Sequence, residues 1–513
     1  MNKLIKLSIT SALVFGFQVP AFAQASLEEV IVTAQRTEQS LQDVPIAVTA
    51  LSSDDLDTKQ VITFSDLQLN VPGLNFGQTY FGGSSISIRG IGNLSTGDSF
   101  DGSVSYHIND GTINTSGIGV ENYDVERIEI LRGPQGTLFG RGTTAGSVNV
   151  INNKAELGED YGRIKVTAGN YNTQKLEYMA NLSITDQLSA RFAGYALQRD
   201  GYIDNLFLPD TGYDGRDQNS ARLSLAWEND QTRIDFNHEV YNEDSTRALR
   251  GDYICENSPT PDRGCVFGGQ KMEQANPAGT YDGIIAAALL GIAPAGANID
   301  AYIASGLLSS ADNSIRPANM QRGQTHVDFV PIWEVDSDLT QLLISHDLDV
   351  GTLSFNATLQ NTNYYNRADT DMAVGPRIGC KNAAGNVVVN DGSGVCASAT
   401  DNASGGVFNL MNIAVGGYRG VRGPTIAEEI AGNLSVLEQD KYLLVKNKNR
   451  TAFIDGNTGE RQTRYYEMKF NSDFDGPHNF LLGVNSFEIE STARYLTASS
   501  PLSMLAPAAS YYP

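Results

Sequence analysis

This chain is poor in the residues that most enzymes use and in the long apolar runs of helical membrane proteins. Two tryptophans, four cysteines and five histidines are spread over 513 residues. The histidines (His107, His238, His326, His346 and His478) stand far apart, so no local metal or catalytic cluster is encoded. No Gly-Lys-Ser/Thr closes a phosphate loop, and there is neither a GxSxG elbow nor an HExxH helix. The reading therefore assigns no catalytic residue, no metal and no cofactor, and expects no enzyme. Basic charge is also short. Lysine and arginine number 36 against 59 acids, a formal net charge of −23. That excludes a general nucleic-acid binder and leaves room for polycationic partners or bound divalent cations. Beyond the N-terminus the nearest approach to a spanning run is Ile284–Ala293, bounded by Asp282 and Pro294. It is too short to cross a bilayer as a helix and reads as a short loop helix.

The abundant residues point elsewhere. Glycine occurs 51 times, tyrosine 22 and phenylalanine 20, a composition suited to strands joined by many turns. Lys3 and Lys6, the apolar stretch Leu7–Val19 and Ala21-Phe22-Ala23 make a secretory signal cleaved before Gln24. An exported chain without a spanning helix enters a membrane only as a closed barrel. Export also favours disulfides. Cys255 with Cys265 and Cys380 with Cys396 are neighbours in loop-like segments, so two local bridges are expected, although four cysteines allow three connectivities.

Two textures follow one another along the chain. From Leu41 to about Ala155, short strands and tight turns alternate, including a turn offered by Asp110-Gly111. This is a small α+β domain. After Ala155 come longer segments of strict alternation. Ile164, Val166 and Ala168 alternate with Arg163, Lys165 and Thr167. Leu353, Phe355, Ala357 and Leu359 alternate with Ser354, Asn356, Thr358 and Gln360. About nine such strands are readable. Their length suits tilted membrane strands, and short turns alternate with very long loops, as in outer-membrane barrels.

Two motifs are more specific. VERIEILRGPQGTLFGRGTTAGSVNVINNK, from Val125 to Lys154, resembles the end of the plug domain of TonB-dependent outer-membrane receptors. Upstream, EEVIVTAQR from Glu28 to Arg36 resembles that family's TonB box. The resemblance implies a small α+β plug inside a transmembrane antiparallel β-barrel. It divides the chain into a signal peptide (1–23), a periplasmic segment with the box (24–40), a plug (41–155) and a partial barrel (156–513). A plugged lumen goes with about 22 strands, so the barrel is expected to be incomplete in this chain and the sequence to be a piece of a longer one.

The family's mechanism assigns roles. Glu29, Val30, Ile31, Val32, Thr33 and Ala34 would bind TonB by strand addition, which their β-branched, Gly- and Pro-free run suits. Gly90, Asp110, Gly111, Gly133, Pro134, Gly136, Gly140 and Gly142 would form the plug's turns. Arg89, Arg132 and Arg141 would pair with lumenal carboxylates such as Glu177, Asp235, Glu239 and Glu467. Plug apices at Phe76–Ser84 and Leu94–Phe100, with loop aromatics such as Trp333 and Tyr364, would meet the cargo. The expected partners are TonB with its inner-membrane energising complex, outer-membrane lipid, and a ferric siderophore or other iron chelate. Cobalamin, an oligosaccharide or an aromatic compound is the alternative cargo. A passive plugged porin or a surface adhesin is the alternative class.

Overall fold

The computed structural model describes residues 31–33, 36–37, 39–78, 84–92, 102–114, 121–209, 212–247, 323–327, 330–369, 379–381, 387–389, 453–476 and 478–499. The expected signal peptide, Glu29, Val30, Ala34, the Leu94–Phe100 apex, Cys255, Cys265, Cys396 and the Ile284–Ala293 run lie outside these residues, and so do both expected disulfides.

The N-terminal part is a compact α+β unit. β1 (Ile31–Val32) and β2 (Gln39–Ser40) form a two-stranded ribbon. β3 (Val48–Ser52) runs into α1 (Ser53–Thr58), which begins with a capping box between Ser52 and Asp55. A 3-10 turn (Phe64–Asp66) and α2 (Leu67–Asn70) follow. β4 (Leu74–Gln78), β5 (Ser84–Ile88) and β6 (Ile91–Gly92) make a small sheet. β7 (Val104–Ile108), β8 (Gly111–Ile113), β9 (Val125–Arg132) and β10 (Gly146–Asn152) join β3 in the order β3-β9-β10-β7-β8, with α3 (Gly136–Phe139) between β9 and β10.

Alternation in β9 and β10 explains the layering. Ile128 pairs with Val150 and Ile130 with Val148, and all four enter a core with Leu51, Leu67 and Ile88. The opposite face of the same sheet is buried yet polar, carrying Ser105, His107, Glu129, Ser147 and Asn149. Such a face requires a full set of hydrogen-bond partners. Thr33, just after β1, supplies the Glu129 carboxylate with two of them.

Past a short connection the chain forms a wall. Its strands are β11 (Tyr161–Gly169), β12 (Thr173–Thr185) and β13 (Leu188–Arg199). After β14 (Asp204–Asn205) come β15 (Arg216–Glu228) and β16 (Thr232–Ser245). β17 (Gln324–Thr325) pairs with β14. Then follow β18 (Ile332–Leu348), β19 (Gly351–Asp369), the hairpin of β20 (Gly379–Lys381) with β21 (Val387–Val389), β22 (Phe453–Ser472) and β23 (Leu481–Ser499). Nine of these form one antiparallel sheet in the order β11-β12-β13-β15-β16-β18-β19-β22-β23. Among the described residues β11 and β23 are the two unpaired edges of this sheet.

One side of the wall carries the apolar residues read from the sequence. Ile164 and Val166 are each 74% exposed there. A lipid-facing barrel surface is expected to expose such residues. On the last strands the outward apolar positions (Met468, Leu482 and Val484) give way to Glu460, Glu488 and Glu490, which marks the end of the apolar band. The other side faces the N-terminal unit and buries polar residues such as Asn181, Arg191, Arg222 and Gln341. It also sends Leu339 into the core of that unit.

Candidate coupling site between plug and wall

The site is built where the N-terminal ribbon, the polar face of the plug sheet and the wall meet. Val32 is fully buried against Val44, Leu131 and Phe139. One residue on, the Thr33 amide donates to Glu129 Oε1 at 2.8 Å and its hydroxyl to the same oxygen at 3.2 Å. Arg127 Nε donates to the same oxygen at 2.8 Å. Burial outweighs these donors and holds the Glu129 carboxyl above its usual range.

Arg36 follows a turn closed by its own amide on the Thr33 carbonyl, at 2.9 Å. Its φ of +63° is uncommon for a residue other than glycine. The side chain lies beneath the plug, stacked over Phe139 with its guanidinium carbon 4.2 Å from the ring centroid. Nε donates to the Leu138 carbonyl at 3.1 Å. One terminal nitrogen is 3.2 Å from Asp110 and the other 3.6 Å from Glu467 on β22. Arg36 therefore touches the plug and the wall together. Asp110 is buried, which raises its carboxyl pKa. The charges of Arg36 and Lys469 more than offset this and hold it below the ordinary range. His107, enclosed by the Ser105 and Thr112 hydroxyls, is pushed down to about 3 by burial and by the charge of Arg36.

The β7–β8 turn is pressed on the wall. Asn109 Nδ2 donates to Gln341 at 2.9 Å, Gln341 Nε2 to the Ile108 carbonyl at 2.7 Å, and Asn356 Nδ2 to the Asn109 carbonyl at 3.1 Å. This corrects the expected turn by one residue. The turn residues are Asn109 and Asp110, with φ of +47° and +65°, and Gly111 opens β8. Gly111 is required by proximity: a Cβ there would sit 2.0 Å from Thr358 Oγ1 and 2.7 Å from Gln341 Nε2.

A second anchorage lies further along the lumen. Asp124 receives Arg191 of β13 through two bonds, of 2.6 and 2.8 Å, and Arg222 of β15 at 3.3 Å. Lys175 of β12 pairs with Glu121, and Arg461 of β22 donates to Asn114 at 2.6 Å. Between the two anchorages a cavity of about 80 Å³ is lined by Tyr106, Asn122, Tyr123, Arg222, Glu239 and Gln360.

The expected site residues are distributed unevenly over this geometry. Ile31, Val32 and Thr33 of the box lie in the docked segment. Arg89 and Gly90 form the two-residue turn between β5 and β6, and Arg89 is exposed. Arg141 is exposed and Arg132 half-buried. The lumenal carboxylates expected to answer them are engaged by other cations: Glu467 by Arg36, Glu239 by Arg222, Glu177 by Lys175 and Asp235 by Arg233. Gly133 and Pro134 lead out of β9, Gly136 opens α3, Gly140 ends it with φ +74°, and Gly142 follows with φ +79°. Phe76 packs edge-on against Phe64 at the margin of the core, and residues 79–83 of the expected Phe76–Ser84 apex lie outside the described residues. Trp333 and Tyr364 are buried in the wall, Trp333 bonding to Glu243.

Sequence reading missed Arg36, Glu129, Asp124 and the wall arginines. The available signal was the placement of Arg36 at the end of the motif Glu28–Arg36 and of Glu129 between two core isoleucines.

Comparison with known proteins agrees with this architecture. Residues 40–147 match the model of the TonB-dependent receptor plug domain. The iron-regulated outer membrane virulence protein of Vibrio cholerae is 29% identical over 214 residues, 38% of this chain and 32% of that protein. The vitamin B12 transporter BtuB of Vibrio vulnificus is 26% identical over 248 residues, 44% of this chain and 39% of that protein. The matched region thus spans between about a third and two fifths of each relative's length. The solved FpvAI–pyocin S2 complex shares the fold at a TM-score of 0.53 and 11% identity, covering 91% of this chain and 44% of that one. Over residues 40–147 the chain thus carries a domain similar to the plug of TonB-dependent receptors, seated against a nine-stranded antiparallel wall.

Proposed function

We propose that this protein takes part in energised uptake of a scarce ligand across the bacterial outer membrane, and that Glu29–Ala34 is where TonB engages it. The observation that supports this most is the docking of Thr33 and Arg36. The segment resembling the box is bonded to the plug through Glu129 and Asp110 and reaches the wall through Glu467. A pull on it would act on both parts at once. The short turns of the wall, such as Val350-Gly351, then belong on the periplasmic side and the long connections outside. The signal peptide (1–23), plug (41–155) and barrel (156–513) divisions follow the same reading.

For the cargo we favour a ferric siderophore or similar iron chelate, in keeping with the similarity to the iron-regulated protein of Vibrio cholerae. The BtuB relative keeps cobalamin as the second candidate. Deletion of 29–34 should abolish energy-dependent accumulation while leaving surface binding of the ligand intact. Undiminished accumulation in the deletion strain would instead indicate a passive pore. Titrating the purified receptor with ferric chelates and with cobalamin separates the two cargoes.

A further inference from the structure

Glu129 stands in the middle of β9 with no exposed surface, on the polar face of the plug sheet. A buried carboxylate is costly unless donors surround it. Three donors reach this one: the Thr33 amide, the Thr33 hydroxyl and Arg127 Nε. Two of the three belong to the box. Departure of Thr33 leaves Glu129 buried with Arg127 alone, so the plug itself resists release of the segment.

The same contact matters from the side of the box. Strand addition depends on main-chain N–H and C=O groups of the segment being free to pair. Ile31 and Val32 already pair with Ser40 and Gln39, and the Thr33 amide is taken by Glu129. Val32, fully buried against Leu131 and Phe139, holds the segment in that position.

Resting on the coupling role given above, we propose that Glu129 is an internal competitor of the coupling partner. Its carboxylate occupies the Thr33 main-chain donor that an added strand needs, so the partner engages this part of the box only after Thr33 leaves Glu129. Glu129 is thus a positioning residue: it touches neither cargo nor partner and sets how readily the box is surrendered.

The test uses the full-length receptor in detergent. Hydrogen exchange over residues 27–40 reports on the Thr33 amide with no partner present. Titration with the purified periplasmic domain of TonB reports on docking. Glu129→Gln keeps the shape but replaces a charge-assisted bond by a neutral one. The segment should then exchange about tenfold faster and the TonB domain bind about tenfold tighter. Glu129→Asp keeps the charge but withdraws it by one methylene, and should act in the same direction if the glutamine variant fails to assemble. Thr33→Val, which retains the amide donor, should loosen the segment less than either. Unchanged exchange in both Glu129 variants overturns the proposal. Faster exchange without tighter binding overturns the competition. A TonB domain that binds neither parent nor variant overturns the coupling role and the proposal with it.

Discussion

Asp124 is held by guanidinium groups from two adjacent wall strands. Burial alone would raise its carboxyl. The Arg191 hydrogen bonds and the Arg222 charge outweigh burial and hold it below the ordinary range. A carboxyl depressed in the folded state contributes stability that is present above its unfolded pKa, about 3.9, and is lost as pH falls through the folded value. Acid should therefore loosen the plug at this anchorage. Asp124→Asn should abolish that dependence while costing roughly 3–5 kcal/mol at neutral pH, because two buried cations lose their counter-charge. Denaturant unfolding followed by a probe in the plug measures both. His107 acts over a different window. Its folded value of about 3 lies below an unfolded value of about 6.5, so the unfolded chain binds the proton first and stability falls as pH drops from about 6.5 toward 3. His107→Gln should flatten that part of the profile. At Gly111 the effect is steric: Gly111→Ala should cost about 1–3 kcal/mol by driving a methyl into Thr358 and Gln341, read as faster exchange at Asn109–Ile113.

At the scale of elements, much was legible because alternation is a local signal. Ile164, Val166 and Ala168 announced a strand with one apolar face, and β11 has that face turned outward. The paired hydrophobic runs around Ile128 and Val148 announced β9 and β10, which pair in register. The turn at Asn109–Asp110 was placed one residue late. Gly111 looked like a turn glycine, whereas its reason for being glycine lies on a strand more than two hundred residues away, at Thr358. The same distance hid the ion pairs. Alternation tells which face of β13 or β22 a charge occupies, but not which plug residue arrives opposite it. Arg191 meeting Asp124, or Arg36 meeting Glu467, is a property of the docked pair. It is not written in either strand. The segment Glu28–Arg36 stood out by its wording, while its contact Glu129 was hidden by the two core residues flanking it in β9.

For the molecule as a whole, plug and wall share more than a polar seam. Leu339, on the inward face of β18, is a member of the plug's hydrophobic core beside Val61, Phe64 and Leu67. Leu339→Ala should cost about 2–5 kcal/mol, and the loss should appear as increased exchange in the plug rather than in β18. That shared residue also bears on biogenesis. The chain is made from its N-terminus, so every other member of this core, from Leu51 to Val150, leaves the ribosome well before Leu339 does. During transit the plug has an unsealed apolar surface, of the kind that makes partly assembled chains prone to aggregate. Completion of its interior must wait for the strand that carries Leu339 to be laid into the wall, so insertion of the barrel is itself a late step in folding the plug.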